Sequence, residues 1–270
     1  MSEATSSELL DPGLARRLHG ALTAGPDELF QLVQDPAPEI LRIVLKNPRL
    51  AEDHLLALLK RRDLSEDLLK AVFRLEKVES SHRLKVALVY NPGIPGAVAQ
   101  SLLPQLYLFE LVNLCHLPGV TPDQKLAAER VIIQRLPTTP LGNKLTLARR
   151  GTSAVVAELL KEGDSRLVEV CLVSPRLKEV AILQFLGSSR ATAETISSIA
   201  RHPKWKSRPN LRLAILRNRH TPPVWFTLFL PALRTAEING LLASRRLTPQ
   251  QKTLVNDELK KRSGPGTRLI

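Results

Sequence analysis

Residues 84–125 read LKVALVYNPGIPGAVAQSLLPQLYLFELVNLCHLPGVTPDQK, and residues 211–252 read LRLAILRNRHTPPVWFTLFLPALRTAEINGLLASRRLTPQQK. The two stretches align without a gap at an offset of 127 residues (211 − 84 = 127), and thirteen positions are identical. Some identities are polar, such as Asn91 with Asn218, and apolar periodicity alone does not explain them. The two stretches therefore predict a structural unit that occurs twice in the chain.

The alignment extends beyond these stretches at the same offset. It places 14–136 over 141–263, where 28 of 123 positions are identical. The predicted organisation is a mobile lead-in, a near-neutral first copy, a strongly basic second copy and a flexible tail, with bounds 1–13, 14–136, 137–262 and 263–270.

Helical spacing of apolar residues runs through each copy. Asn can adopt the left-handed conformation that ends a helix, and a following Pro cannot continue it, so Asn47-Pro48 and Asn91-Pro92 predict helix ends. The spacing and these stops predict nine short helices in the first copy, repeated 127 residues later, over 14–23, 27–34, 38–46, 51–61, 65–75, 82–90, 95–104, 107–115 and 122–136.

The number of predicted helices constrains the architecture. With an odd number per copy, a repeat of helix pairs would start the second copy with the chain running the opposite way. Three units of three helices per copy avoid this conflict, and their starts near Leu14, Ala51, Pro95 and Leu141 are 37 to 46 residues apart (51 − 14 = 37; 141 − 95 = 46). We therefore predict an all-α fold, a right-handed α-solenoid built by tandem duplication.

The chain resembles the HEAT and armadillo superfamily, in the style of its leucine-rich variant proteins, over 14–262. The residues that carry the resemblance are the Asn-Pro and Ser-Pro turns and the L-P-x-L step at Leu103 and Leu230. Uncharacterised bacterial proteins share this style, and the resemblance implies a stacked helical fold without implying a function.

Composition narrows the class of protein. The longest apolar run, 224–233, is too short to span a bilayer, and the first residues lack a secretory leader pattern, so we expect a cytoplasmic protein. The two cysteines, Cys115 and Cys171, stand where the other copy has Leu242 and Val44, which predicts buried apolar roles. No metal-ligand or nucleotide-binding motif is present, so no cofactor is expected.

Net charge separates the two halves. Residues 1–136 carry 16 Lys and Arg against 17 Asp and Glu, a balance of −1, whereas residues 137–270 carry 23 against 9, a balance of +14. Two halves with one packing plan do not need such a difference, so we attribute it to the surface of the second half and to an acidic partner.

The basic residues of the second copy are therefore the candidate binding site. If successive turns alternate between two edges, Arg150, Arg176, Arg201 and Lys204 share one edge, whereas Arg190, Arg217, Arg219 and Arg245 line the other. Trp205 has two interpretations, stacking on a nucleic-acid base or packing over a turn as Val78 does in the first copy. The predicted partner-binding residues are Arg149, Arg150, Arg176, Arg201, Lys204, Trp205, Lys206, Arg208, Arg212, Arg217, Arg219, Arg245 and Arg246.

The function predicted from these observations is a non-catalytic scaffold or interaction protein. Its second half binds an acidic protein or a nucleic-acid backbone, its first half docks a second protein or self-associates, and no membrane is involved. The alternative is a DNA-binding enzyme similar to the bacterial alkylpurine DNA glycosylases, which are basic HEAT-like solenoids. That resemblance would give roles around an extruded base to Asp164, Trp205 and Arg201 or Arg208, although no motif supports the transfer.

Overall fold

The structure, a computed structural model, describes residues 12–244 and 246–263. These residues form nineteen α-helices and three 3-10 turns, with no strand among them, which confirms the all-α prediction. The first ten helices are α1 Pro12–Thr23, α2 Pro26–Leu32, α3 Pro38–Val44, α4 Glu52–Leu59, α5 Glu66–Phe73, α6 Glu76–Ser80, α7 His82–Tyr90, α8 Gly96–Leu102, α9 Leu108–His116 and α10 Pro122–Arg135.

The remaining nine helices follow the same order. They are α11 Leu141–Arg150, α12 Ser153–Lys161, α13 Ser165–Val173, α14 Glu179–Leu186, α15 Ala193–Arg201, α16 Pro209–Leu216, α17 Pro223–Phe229, α18 Thr235–Leu242 and α19 Pro249–Ser263. The 3-10 turns are Leu103–Gln105, Leu136–Thr138 and Leu230–Ala232.

Helix bounds recur at the offset of the sequence repeat. Helix α14 begins and ends 127 residues after α4 (179 − 52 = 127; 186 − 59 = 127), and α17 stands in the same relation to α8 (223 − 96 = 127; 229 − 102 = 127). The two halves differ at α6, because the equivalent residues 203–207 of the second half form turns instead of a helix. The sequence did not predict α6. The retained Asn, Pro and capping positions therefore end the helices at equivalent places in both halves.

The chain forms two compact units, which divide between Ile132 and Ile133 within α10. We call the part up to Ile132 unit 1 and the part from Ile133 unit 2. The first 11 residues, which hold most of the predicted lead-in, and the predicted tail beyond Ser263 lie outside the described residues. The right-handed solenoid of three-helix units stays a prediction.

Within each unit, alternate helices pack on each other. In unit 1, α3 packs against α1 and α5, and α4 packs against α2 and α7. In unit 2, α13 packs against α11 and α15, and α14 packs against α12 and α16. Turns that connect successive helices of unit 2 therefore alternate between two edges.

Packing, more than helix length, stabilises these elements. Most helices have seven to nine residues, too few to be stable alone, so their stability comes from apolar side chains buried between them. Phe185 on α14 and Phe226 on α17 are fully buried, as is Leu55 on α4.

Buried amide side chains connect the turns within a unit. Asn47 Nδ2 donates to the carbonyl oxygens of Ala21 at 2.9 Å and Ala24 at 3.2 Å. Asn91 likewise donates to Leu59 at 3.0 Å and Arg61 at 2.7 Å. These Asn side chains therefore satisfy backbone carbonyls of the preceding helical layer, which would be costly to bury without a partner. The left-handed conformation predicted for these Asn residues is wrong, because no residue other than glycine has a positive φ among the described residues.

Both cysteines are free and buried, as predicted. Burial raises the pKa of the Cys115 thiol to about 11 and that of Cys171 to about 12, so both remain protonated thiols at neutral pH. Within the described residues, no helix combines the length and the apolar character that crossing a bilayer requires.

Candidate anion-binding groove

Two adjoining pockets of unit 2 lie at the edge formed by the turns after α14, α16 and α18. The first has a volume of about 450 Å³ and the second about 350 Å³, and both are lined by Leu186, Gly187, Arg217 and Arg246. The first is completed by Ser188, Ser189, Asn218, Arg219 and His220, and the second by Leu183, Asn210, Leu213 and Ala214. We call the two pockets together the unit-2 groove.

The turn that carries Arg217 and Arg219 is held by hydrogen bonds from buried amides. Asn218 Nδ2 donates to the Leu186 carbonyl at 2.7 Å, and Asn218 Oδ1 accepts from the His220 amide at 2.8 Å. From the other side, Gln251 Nε2 donates to the carbonyl oxygens of Arg219 at 3.1 Å and Thr221 at 3.0 Å. The arginines therefore project from a backbone that is tied to α14 and to α19.

The three arginines of the unit-2 groove have no carboxylate partner among the described residues. Arg219 Nε donates to His220 Nε2 at 3.0 Å. This contact orients the guanidinium and leaves its two terminal NH₂ groups for another acceptor. Arg217 and Arg246 are exposed and contribute two further guanidinium groups.

An equivalent groove is present in unit 1. It has a volume of about 690 Å³, and eleven of its sixteen lining residues stand 127 positions before a residue that lines the unit-2 groove. The shared positions include Asn91 with Asn218, whereas Tyr90 stands in place of Arg217 and Pro92 in place of Arg219. We call this pocket the unit-1 groove.

Charges in the unit-1 groove are largely paired with each other. Arg83 lies 3.1 Å from Glu52 and 3.8 Å from Asp53. The His82 ring nitrogen Nε2 lies 2.9 Å from a carboxylate oxygen of Glu110. Arg61 is held by Asp63 at 2.7 Å and donates to two backbone carbonyls, which leaves Lys60 and Arg62 as groove cations without an ion pair among the described residues.

Tyr90 completes the unit-1 groove with a neutral side chain. Its hydroxyl donates to the Glu110 carbonyl at 2.9 Å. Burial, with the nearby Glu110 and Cys115, raises the pKa of Tyr90 to about 12, so the phenol stays protonated at neutral pH.

The other predicted basic residues do not gather around one pocket in the same way. Arg201 Nε donates to the Ser197 carbonyl at 3.2 Å, and Arg208 lies 3.8 Å from Glu179. Arg212 Nε donates to the Lys206 carbonyl at 2.7 Å, and its guanidinium lies 5.6 Å from the centre of the Phe229 ring. These three arginines therefore make intramolecular contacts with neighbouring residues.

Arg149, Arg150, Arg176, Lys204 and Lys206 are all exposed. Arg149 lines a separate pocket of about 390 Å³, whose walls are mainly apolar. Arg245, which was predicted for the site, lies outside the described residues.

The structure removes Trp205 from the predicted binding surface. Only 3% of its surface is exposed, and its indole Nε1 donates to the Leu172 carbonyl at 3.0 Å. The Lys204 ammonium lies 4.5 Å above the ring, a cation–π contact. A base cannot stack on a ring that is packed in this way, so the interpretation as a packing residue is the correct one.

Asp164 has a structural role as well. It is the N-cap of α13, where Oδ1 accepts from the amides of Arg166 at 3.0 Å and Leu167 at 3.3 Å. Trp205 contacts the other end of the same helix at Leu172, eight residues or about 12 Å further along. The glycosylase interpretation needs Asp164 and Trp205 to lie together around a base. In the structure they contact opposite ends of α13, and each already makes hydrogen bonds within the protein.

Some groove residues were not predicted as site residues. Ser188 and Ser189 stand where the first copy has Arg61 and Arg62, and His220 stands where it has Gly93, so a position-by-position comparison at the 127-residue offset singles them out. The unit-1 groove was not predicted, because its lining residues have no unusual composition.

Among the described residues, no group of His, Cys, Asp or Glu side chains is placed to hold a metal ion. No protein-family model matches the chain, and no curated protein or solved structure matches it.

Proposed function

We propose that the protein is a non-catalytic binding module whose unit-2 groove receives an acidic partner. The observation that carries the proposal is that Arg217, Arg219 and Arg246 line one groove and that no carboxylate among the described residues pairs with them. Guanidinium groups bind carboxylate and phosphate through paired, charge-assisted hydrogen bonds, so such a groove favours an anionic ligand.

Packing does not require these arginines. In unit 1, Tyr90 and Pro92 line the groove at the positions of Arg217 and Arg219, and Gly119 stands in sequence where unit 2 has Arg246. Helix dipoles account for part of the charge, because the ends of α14 and α16 carry about half a negative charge each. Three guanidinium groups exceed that amount, and the excess positive charge is what supports an external anion.

The binding of labelled polyanions tests the proposal directly. We would measure fluorescence anisotropy of labelled duplex DNA, single-stranded DNA, RNA and poly-glutamate with the full chain, at about 50 and 200 mM salt. At least one of these is expected to bind, and its affinity should fall with salt as counterions are displaced.

A pair of matched double variants localises the binding. Arg217→Glu with Arg219→Glu reverses two groove charges, whereas Arg149→Glu with Arg176→Glu makes the same change in net charge elsewhere on unit 2. The groove variant is expected to bind at least about tenfold more weakly, and the control should change affinity by less than about threefold. Equal losses, or no binding of any probe at the lower salt, would overturn the proposal.

We also propose that unit 1 docks a second protein or self-associates, as the sequence predicts for the first half. The unit-1 groove supports a protein partner more than a polyanion, because it combines exposed Phe30 with internally paired charges. Loss of self-association or protein capture on Phe30→Ser would support that role.

A further inference from the structure

The two pockets of the unit-2 groove differ in chemistry. The larger is lined by Arg219, His220 and the hydroxyl of Ser189, whereas the smaller is lined by the aliphatic side chains of Leu183 and Leu213. Arg217 and Arg246 border both pockets. A ligand that fills the whole groove therefore carries an anionic group next to an apolar one.

This combination disfavours a polynucleotide. A nucleic-acid strand carries a phosphate at every nucleotide, so the group beside the first phosphate would be another charged unit facing Leu183 and Leu213. Proteins that bind single strands also provide several aromatic rings for the bases, whereas the described part of the unit-2 groove has no Phe, Tyr or Trp and only the imidazole of His220. A peptide fits better, because its side chains change character from one residue to the next.

The number of arginines favours phosphate over carboxylate. A carboxylate offers two oxygens and one negative charge, whereas a phosphorylated side chain offers three acceptor oxygens and a charge of about −1.5 to −2 at neutral pH. Three guanidinium groups are closer to the second in charge, and each of its three oxygens can accept from a guanidinium. The cations are all arginines, which present paired donors that lysine lacks.

We propose that the unit-2 groove binds a phosphorylated segment of a partner protein. The phosphate of a phosphoserine lies against Arg217, Arg219 and Arg246, and a neighbouring aliphatic side chain occupies the pocket lined by Leu183 and Leu213. This inference rests on the proposed function and names the partner chemistry of that same groove. Recognition of phosphorylated motifs by arginine clusters follows the same physical principle.

The unit-1 groove is the internal contrast for this proposal. Its lining combines the carboxylates of Asp53 and Glu110 with the cations Lys60, Arg61, Arg62 and Arg83, and Tyr90 stands in place of Arg217. Because Arg61 and Arg83 are paired with carboxylates, we expect the unit-1 groove to bind the same probes more weakly than the unit-2 groove.

The test uses three labelled pools of nonapeptides with degenerate flanks and a central phosphoserine, serine or glutamate. Binding of each pool to the full chain is followed by fluorescence anisotropy, with single-stranded RNA as a fourth probe. The phosphoserine pool is expected to bind at least about tenfold more tightly than the serine pool and about threefold more tightly than the glutamate pool.

Two variants separate charge from geometry. Arg217→Lys with Arg219→Lys keeps the charge and removes the paired donors, so the preference for phosphoserine should fall by about fivefold or more. The matched control, Arg149→Lys with Arg176→Lys, should leave the preference unchanged. Leu213→Ala should weaken the binding of the phosphoserine pool and keep its preference over the serine pool, and thermal unfolding checks that each variant is folded.

The outcomes distinguish this inference from the proposed function. Equal binding of the phosphoserine and serine pools overturns it. Tight binding of RNA that depends on Arg217 and Arg219, without a phosphopeptide preference, overturns it and leaves the acidic-partner function standing. No binding of any of the four probes overturns this inference, and the proposed function fails with it only if duplex DNA, single-stranded DNA and poly-glutamate also do not bind.

Discussion

The grooves of unit 1 and unit 2 are built on the same framework and differ in how far their charges are paired within the protein. Asn91 and Asn218 close the same turn in both, since Asn91 donates to the Leu59 and Arg61 carbonyls and Asn218 donates to the Leu186 carbonyl. Around that turn, unit 1 pairs His82 with Glu110, whereas unit 2 presents Arg217 without a carboxylate partner among the described residues. Residues that hold the backbone are shared, and residues that line the pocket differ.

The comparison shows which residues are structural. Gln124 and Gln251 are both buried and both donate to carbonyls of the preceding Asn turn. Replacing either would leave buried backbone oxygens unsatisfied, so the fold requires them. No such cost accompanies the exchange of Tyr90 for Arg217 at the pocket surface, and this is the position where the two units are free to differ in function.

The largest expected effect concerns Trp205, which stands where unit 1 has Val78. Trp205→Val leaves a cavity in unit 2 and an unpaired Leu172 carbonyl, so we expect the free energy of unfolding to fall by about 3 kcal/mol. Urea denaturation measures the loss. Removing the exposed ammonium by Lys204→Ala is the control, with an expected change below about 1 kcal/mol. If Trp205→Val abolished polyanion binding and left stability unchanged, the ring would be a ligand contact after all.

The next effect concerns the Asn turns. Asn47 ends its helix with an amide that makes two hydrogen bonds to the preceding layer, whereas its counterpart Ser174 is buried with a hydroxyl that has no partner in the described structure. Asn47→Ser should destabilise the protein by about 2 kcal/mol, and Ser174→Asn should stabilise it by up to about 1 kcal/mol. Thermal unfolding of the two variants checks both signs. A loss of stability from Ser174→Asn would show that unit 2 lacks room for the amide.

Exchanging the side chains of the two grooves should affect binding more than folding. Arg217→Tyr gives unit 2 the unit-1 residue, and we expect polyanion affinity to fall about tenfold, or about 1.4 kcal/mol, with the free energy of unfolding unchanged within about 0.5 kcal/mol. The reciprocal Tyr90→Arg should not create a second site, because Asp53 and Glu110 line that groove. Titration calorimetry gives both the affinity and the number of sites. A stoichiometry of two for Tyr90→Arg would contradict the assigned role of the carboxylates.

The smallest effect concerns the N-cap of α13. Asp164 caps this helix, whereas the equivalent helix α3 of unit 1 begins after Ala37 without a side-chain cap. Asp164→Ala should cost about 1 kcal/mol, and Ala37→Asp should recover a similar amount in unit 1. Urea denaturation at neutral pH provides the measurement.

The effect of Asp164 should also depend on pH. The hydrogen bond from Arg166 and the amides of Leu167 and Arg166 lower the pKa of Asp164 in the folded state, so its contribution is fully present above the unfolded value of about 3.9. The contribution is lost as the pH falls through the folded pKa. The difference between wild type and Asp164→Ala should therefore narrow in strong acid, and a constant difference would assign the effect to backbone conformation.

Much of the fold follows from local sequence. The Asn-Pro stop at Asn47 and the capping Ser65 place helix ends to within a few residues, because capping and proline geometry act over one turn. The short α6 escaped prediction, since Glu76–Ser80 has a single buried apolar residue, Val78. The basic second half was recognised from charge alone, but most of its cations turned out to be dispersed over separate contacts.

The sequence by itself determined that the described part of the chain is all-helical, where its helices end to within a few residues, that the two halves share a 127-residue spacing, and that the cysteines are buried. These properties depend on periodicity and on residues within a few positions of each other. Only the tertiary structure decided that Trp205 points inward, since its partner Leu172 lies 33 residues earlier. It also decided which arginines share a pocket, because Gly187, Arg217 and Arg246 come from three turns that only helix packing brings together.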